Sequence, residues 1–275
     1  MAEVTAYEDI LANIKDQVVL ITGAKVVVGD LNPPNPEFKD TDKVHYLEVN
    51  VTSWESLRNM FNQADEIFGG IDHVFANAGV GPTTDFLGIN LNEAGQLEPP
   101  PLRTINVNLI GPLYTINLAQ AYMKQLASRR PVKKTGSIVL TASVSSFQTF
   151  SAGDYTITKH GVLGMIRGLQ HKFEADGKIR LNAVAPSWTN TGMVPTEAIQ
   201  AMGVPVQSPE AVAQSVVLLF ADETRHGEVI YSSRGKLWEV NKADGGLLSM
   251  TNELLNHEDN VEGVMQNINE LVAKA

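Results

Sequence analysis

Hydrophobic residues along the chain follow two alternating patterns. Short apolar, β-branched runs occupy residues 17–22, 25–29, 44–51, 73–77, 137–141, 179–185 and 228–232. Several are nearly continuous Val, Ile and Leu, as strands covered on both faces are. Between the runs, apolar positions recur every three to four residues: Ile105, Leu109, Leu113, Ile116, Met123 and Leu126 make one stripe, and Val162, Ile166, Leu169 and Phe173 another. Strands alternating with helices predict an α/β fold with a doubly wound parallel sheet, one domain over residues 1–275.

The ends of the chain are read more loosely. Residues 1–16 are expected to form an N-terminal extension and residues 246–275 a C-terminal helical tail. In that tail a third stripe, Val261, Val264, Met265, Ile268, Leu271 and Val272, reads as a helix covering its own domain, with a docking face for a second chain as the alternative. Two stretches lack periodicity: residues 31–36, with three prolines, and residues 81–101, polar and ending in Pro99-Pro100-Pro101. Loops of that length are usually functional lids or mobile.

Composition narrows the function. A chain of 275 residues, 43% of them hydrophobic, is large enough to bury about three quarters of its unfolded surface. Its 21 basic and 31 acidic residues leave a net charge of −10, and no basic run exceeds the Arg129-Arg130 and Lys133-Lys134 pairs. A nucleic-acid partner is therefore not expected. There is no cysteine, hence no disulfide, thiolate nucleophile or Cys-based zinc site, and a reducing compartment is expected. The first residues lack the basic and apolar regions of a signal peptide, and no apolar run approaches the ~18 residues of a membrane span. A cytoplasmic protein without a membrane partner is the expectation. Neither His-Glu-x-x-His nor Gly-x-Ser-x-Gly occurs, so no metal site is expected and hydrolase readings lack their motifs.

The chemistry points to a tyrosine. Tyr155 and Lys159 are four residues apart at the start of the second stripe, so both project from one helix face. An ammonium beside a phenol favours the phenolate and lowers a pKa that is near ~10 in isolation. Such a tyrosine can exchange a proton with an alcohol or carbonyl. Ser143 follows the 137–141 run, at the strand end where open α/β sheets place ligands. Its hydroxyl is placed to meet the oxygen that Tyr155 protonates, although a serine there is also an ordinary turn residue.

Taken together, these motifs resemble the short-chain dehydrogenase/reductase family over nearly the whole chain. Tyr155-Thr-Ile-Thr-Lys159 is similar to the family's catalytic Tyr-x-x-x-Lys, with Ser143 twelve residues before the tyrosine. Asn108 is similar to the helix asparagine of the catalytic tetrad, and Asn77-Ala78-Gly79 to the family's Asn-Ala-Gly segment. The stretch from Asn182 to Thr191, with Trp188 in it, resembles the segment that closes over the nicotinamide, and residues 227–239 resemble the hydroxyprostaglandin-dehydrogenase-like branch. The resemblance implies a Rossmann-like fold and hydride transfer between a nicotinamide cofactor and a small-molecule secondary alcohol or ketone. Tyr155 would be the proton donor or acceptor, Lys159 would lower its pKa and hold the nicotinamide ribose, Ser143 would orient the substrate oxygen, and Asn108 would support a proton relay. Cofactor contacts are implied for Asp30, Asn50, Val51, Asn77, Ala78, Trp188 and Thr191, besides Tyr155 and Lys159. The family's habits also imply a homodimer or homotetramer.

Asp30 ends the second run, where dinucleotide folds place an acid on the adenosine ribose. A carboxylate there repels a 2′-phosphate, so NAD is expected over NADP. The competing reading is a loop aspartate beside Asn32 and Pro33. Asn50 stands where the family usually has an aspartate.

One part of the pattern is missing. The family's Thr-Gly-x-x-x-Gly-x-Gly is reduced to Thr22-Gly23, and the next run begins at Lys25, so the first βαβ unit is incomplete. Parallel neighbours ordinarily need a crossover of ~10–12 residues. Residues 23 and 24 suffice only for a hairpin, so the two runs are not both expected as strands of family topology. Three explanations stay open: one long strand; a hairpin that leaves an apolar sheet face bare; or a sequence lacking ~20 residues of a normal crossover, which the otherwise intact motifs favour. Without the turn and helix N-terminus a pyrophosphate loses its backbone donors. The alternative function is thus a catalytically silent relative that acts through binding or dimerisation.

Overall fold

A computed structural model describes residues 2–4, 18–20, 25–32, 43–82, 85–129, 136–255, 263–264 and 268. Seven of its strands coincide with the seven apolar runs: β2 (Val18–Leu20), β3 (Lys25–Asp30), β4 (Val44–Glu48), β5 (His73–Ala76), β6 (Gly136–Thr141), β7 (Ile179–Pro186) and β8 (Val229–Ser233). All seven run parallel, and two short antiparallel strands, β1 (Ala2–Val4) and β9 (Lys236–Glu239), complete one edge. The order across the sheet is β1-β9-β8-β7-β6-β5-β2-β3-β4. Part of the expected N-terminal extension is therefore a sheet strand: Ala2 pairs with Glu239 and Val4 with Leu237.

Helices cover both faces. On one lie α1 (Trp54–Phe68), α2 (Gly111–Arg129) and α3 (Gly153–Asp176); α4 (Thr196–Ala201) follows β7, and α5 (Pro209–Ala221) packs on the opposite face. Alternation along β6 sorts the core. Ile138 and Leu140 meet the α1–α3 cluster with Leu57, Phe61, Ile116, Val162 and Ile166. Val139, one residue out of phase, meets Val216, Leu219 and Phe220 of α5.

Helix α1 was not among the stripes, yet its signals are local. Ser53 caps it by accepting the Ser56 N–H, Gly69 ends it in the left-handed region at φ 73°, and Leu57, Met60, Phe61 and Ala64 share its buried face. Helix α5 is apolar nearly all round, which blurs a one-sided stripe. Its C-terminal carbonyls are held by the buried Arg180, whose guanidinium donates to Leu219, Phe220, Asp222 and Arg225. A short α6 (Leu247–Leu254) opens the tail. Of the third stripe, Val264 and Ile268 are helical and exposed, and the other positions lie outside the described residues.

The expectation for the incomplete unit is corrected. Strands β2 and β3 are neither one long strand nor a hairpin: they are parallel neighbours, Val18 opposite Lys25 and Val19 opposite Val26. Both belong to the expected topology, with β2 between β3 and β5. The reason is the shortness of β2. The path from Leu20 back to Lys25 is about two residues of strand rise and one strand spacing, roughly 8 Å, whereas five Cα–Cα steps reach roughly 19 Å. The usual long crossover is needed to lay a helix over the sheet, not to span the gap. Only residues 21–24 intervene, outside the described set, and among the described residues no helix lies over the second face of β2, β3 and β4.

Candidate active site

The site is assembled at the carboxyl ends of β5, β6 and β7. The helix after β5 opens with one turn at Arg103–Ile105, widens into a π-turn at Asn106–Ile110 and continues as α2. π-turns inside α-helices recur at functional sites. This one carries Asn108, which is 1% exposed. Its side chain clamps one residue of the loop after β5: Oδ1 accepts the Val80 N–H at 2.8 Å and Nδ2 donates to the Val80 carbonyl at 2.9 Å. Nδ2 also reaches Thr158 Oγ1 of α3 at 3.4 Å. The side chain implied in a proton relay is thus engaged in holding the loop to two helices.

Lys159, one turn beyond Tyr155, is 4% exposed and its Nζ donates to the Thr141 carbonyl at 2.8 Å. Burial pushes its pKa down to about 8. The ammonium lies 5.5 Å from the Tyr155 ring centre. Burial raises the Tyr155 pKa, and hydrogen bonding from Ser143 offsets part of that rise. This reverses the direction expected from the ammonium alone, because desolvation of the phenolate is the larger effect.

Ser143 is held as a turn residue: its Oγ accepts the Ser145 N–H at 3.2 Å and caps the short turn Val144–Ser146. Thr141, last residue of β6, ties the neighbours together: its hydroxyl donates to Asn77 Oδ1 at 2.9 Å and its carbonyl receives Lys159. At Gly79 a Cβ would stand 3.4 Å from Asn108 Oδ1 and 3.9 Å from Lys159 Nζ, so glycine brings the backbone close to the ammonium. Thr141 acts here through its carbonyl and its hydroxyl, Val80 through its backbone alone, and neither role showed in the sequence. His160, beside Lys159 in sequence, is exposed with its ring against the Thr156 carbonyl.

The remaining residues spread along the sheet. A small, mostly apolar cavity at the ends of β3, β4 and β5 is lined by Val51, Asn77 and Ala78 among others; neither Tyr155 nor Lys159 lines it. Asp30 is exposed at the end of β3, and its Oδ1 accepts the Asn32 N–H at 2.9 Å. Asn50 is exposed, with Oδ1 accepting the Thr52 N–H and hydroxyl. Trp188 is half-buried against Phe150, and Thr191 is exposed. Asn108, Ser143, Tyr155, Lys159 and Asn77 are thus brought together, and Asp30, Asn50 and Thr191 lie apart from that cluster in the contacts they make.

Residues 17–201 match the family described as short chain dehydrogenase. The chain belongs to the short-chain dehydrogenase/reductase family. As a member of this family it is similar to the short-chain dehydrogenase/reductase ascJ of Acremonium egyptiacum, 38% identical over 261 residues that cover 88% of this chain and 87% of the relative. It is also similar to prx4 of Penicillium roqueforti, 31% identical, covering 71% of this chain and 57% of the relative. Solved structures share the fold: an NADH-dependent reductase, A1-R′, aligns with a TM-score of 0.64 at 19% identity, over 80% of this chain and 96% of its own. Thermoplasma acidophilum aldohexose dehydrogenase aligns with a TM-score of 0.63 at 22% identity, over 79% of this chain and 92% of its own.

An oxidoreductase of this family uses a nicotinamide cofactor, and the residues present suit its two halves unequally. The buried Lys159, the close backbone at Gly79 and the strand-end Asn77 suit a nicotinamide riboside. For the pyrophosphate the sequence offers Thr22 and Gly23 and none of the later glycines. No helix of the described residues is long and apolar enough to cross a membrane.

Proposed function

We propose that this protein interconverts a secondary alcohol and its ketone with NAD(H), Tyr155 being the proton donor or acceptor. The observation that carries this reading is the buried Lys159, held at 2.8 Å on the end of β6 with its ammonium 5.5 Å from the Tyr155 ring centre. When bound, the nicotinamide supplies or takes the hydride. The chain's own residues manage the oxygen and its proton. Ser143 donates a hydrogen bond to the substrate oxygen and fixes it against the Tyr155 hydroxyl. Tyr155, with its pKa raised by burial, is a phenol at neutral pH and gives its proton to the oxygen as a ketone is reduced; the reverse direction needs the phenolate and gains as pH rises. Lys159 hydrogen-bonds the ribose hydroxyls and holds positive charge beside the phenolate as it forms.

NAD is proposed over NADP on Asp30, which puts a carboxylate at the end of β3, where a 2′-phosphate would meet it. A homodimer or homotetramer built on the long helices α2 and α3 is part of the same proposal. The test is ketone-dependent oxidation of NADH by the purified chain and by Tyr155→Phe. Turnover by the first and its loss in the second, with NADH binding retained, is expected. Equal turnover by both would overturn the assignment of Tyr155.

A further inference from the structure

Resting on that reading, we propose that the substrate is a neutral alcohol or ketone carrying an aromatic ring, and that Phe150 and Trp188 receive the ring. Three segments extend from the strand ends around Tyr155: residues 77–102 after β5, residues 142–155 after β6 and residues 187–207 after β7. None holds a Lys, Arg or His, whereas between them they hold Asp85, Glu93, Glu98, Asp154 and Glu197. Lys159 is committed to the Thr141 carbonyl and the tyrosine, and Arg103 sits exposed on the first turn beyond residue 102. A phosphate, thioester-linked nucleotide or carboxylate would enter this frame with acids around it and no cation within these three segments to pair with.

What the frame offers instead is aromatic surface. Phe150 and Trp188, both half-buried, face one another across the segments after β6 and β7, with ring centres 5.7 Å apart and planes inclined at 51°. Each is fixed from behind. The Phe150 carbonyl accepts the Thr156 hydroxyl at 2.7 Å, next to Tyr155 in sequence. The Trp188 carbonyl accepts the Gln207 N–H at 2.9 Å, and the buried Gln207 side chain is bonded to Ser232 of β8. Two rings tilted in this way present one face and one edge, which suits a third ring. Met193 of the same segment reaches over to the loop after β5, its Cγ 3.9 Å from where a Cβ on Gly81 would stand. Its thioether adds a polarizable, apolar wall.

The experiment is calorimetric titration of the full chain, with the oxidised cofactor NAD present so that no hydride can pass to a ketone, using three matched probes. These are 4-phenyl-2-butanone, its saturated counterpart 4-cyclohexyl-2-butanone, and the anion 4-(3-oxobutyl)benzoate. The aryl ketone is expected to bind about tenfold tighter than either, and Phe150→Ala to lose about tenfold of that affinity. Trp188→Phe keeps the preference while Trp188→Ala loses it, with melting temperature as the folding control. Equal binding of the saturated ketone or the benzoate, no binding of any probe, or an unchanged preference in Phe150→Ala overturns the inference. The two proposals fail separately. NADH oxidation driven only by charged or aliphatic ketones would refute the aromatic substrate and leave the oxidoreductase reading standing. Aryl binding without Tyr155-dependent hydride transfer would do the reverse.

Discussion

The carboxyl ends of β5 and β6 and those of β2 and β3 lie along one edge of the same parallel sheet, and they are built to different standards. At the first, three side chains are held by a second group: Lys159 by the Thr141 carbonyl, Asn108 by both backbone groups of Val80, Asn77 by the Thr141 hydroxyl. At the second, Asp30 is exposed and its carboxylate is turned to Asn32, and Thr22-Gly23 is all that remains of the glycine-rich turn. Binding energy for a dinucleotide should therefore be concentrated at the nicotinamide end. A family member can thus keep its reacting groups while its anchor for the pyrophosphate is reduced.

The strongest way to test the well-built end is Tyr155→Phe. It should lower kcat by about 10³ and leave NADH affinity within about threefold, since only the proton exchange is lost; steady-state kinetics with calorimetry reads both. The weak end is probed by inserting a glycine-rich turn and helix between Gly23 and Ala24. NADH affinity should rise by about 10² as backbone donors and the helix dipole reach the pyrophosphate, with affinity for reduced nicotinamide mononucleotide unchanged.

Lys159→Met should weaken NADH binding by about tenfold, the loss of a charge-assisted hydrogen bond. The pH dependence gives it a signature. The folded pKa of about 8 lies below the usual lysine value of 10.5, so the ammonium that holds the ribose is lost as pH rises through about 8, and NADH binding should weaken there. Stability moves the other way. Below about 8 the folded state bears the full penalty of a buried charge, and the penalty is relieved between about 8 and 10.5, where the unfolded chain still binds the proton. Chemical denaturation across that window should show stability rising in the parent chain, and Lys159→Met should remove this contribution.

Smaller effects separate the two ends further. At Gly29 of β3 a Cβ would stand 2.4 Å from Met60 Sδ and 2.9 Å from Val49 Cγ2, so Gly29→Ala should destabilise the fold by about 1–3 kcal/mol, read as a lower Tm. Asp30→Ala should change least. Its carboxylate is exposed and partly engaged by Asn32, so the preference for NAD over NADP should fall by less than about tenfold.

How much of this was legible depended on how local the cause was. The parallel strands were visible because two-sided burial demands unbroken apolar runs, as in Ile138-Val139-Leu140. The edge strands β1 and β9, three and four residues long, are too short to carry a pattern. Tyr155 and Lys159 could be paired from their spacing on one helix. Their surroundings could not be read, because Val80 and Thr141 contribute backbone groups from other elements. The π-turn under Asn108 leaves no compositional mark, and the direction of the Tyr155 pKa depended on burial, which is a tertiary property. The parallel pairing of β2 with β3 escaped the length rule because that rule describes crossovers that carry a helix.

The most direct test is titration of the unaltered chain with NADH and with reduced nicotinamide mononucleotide. Concentration of binding at the Lys159 end predicts affinities within about tenfold of each other, or about 1.4 kcal/mol. NADH binding about a thousandfold tighter would show that the pyrophosphate end is fully built, and would contradict the account.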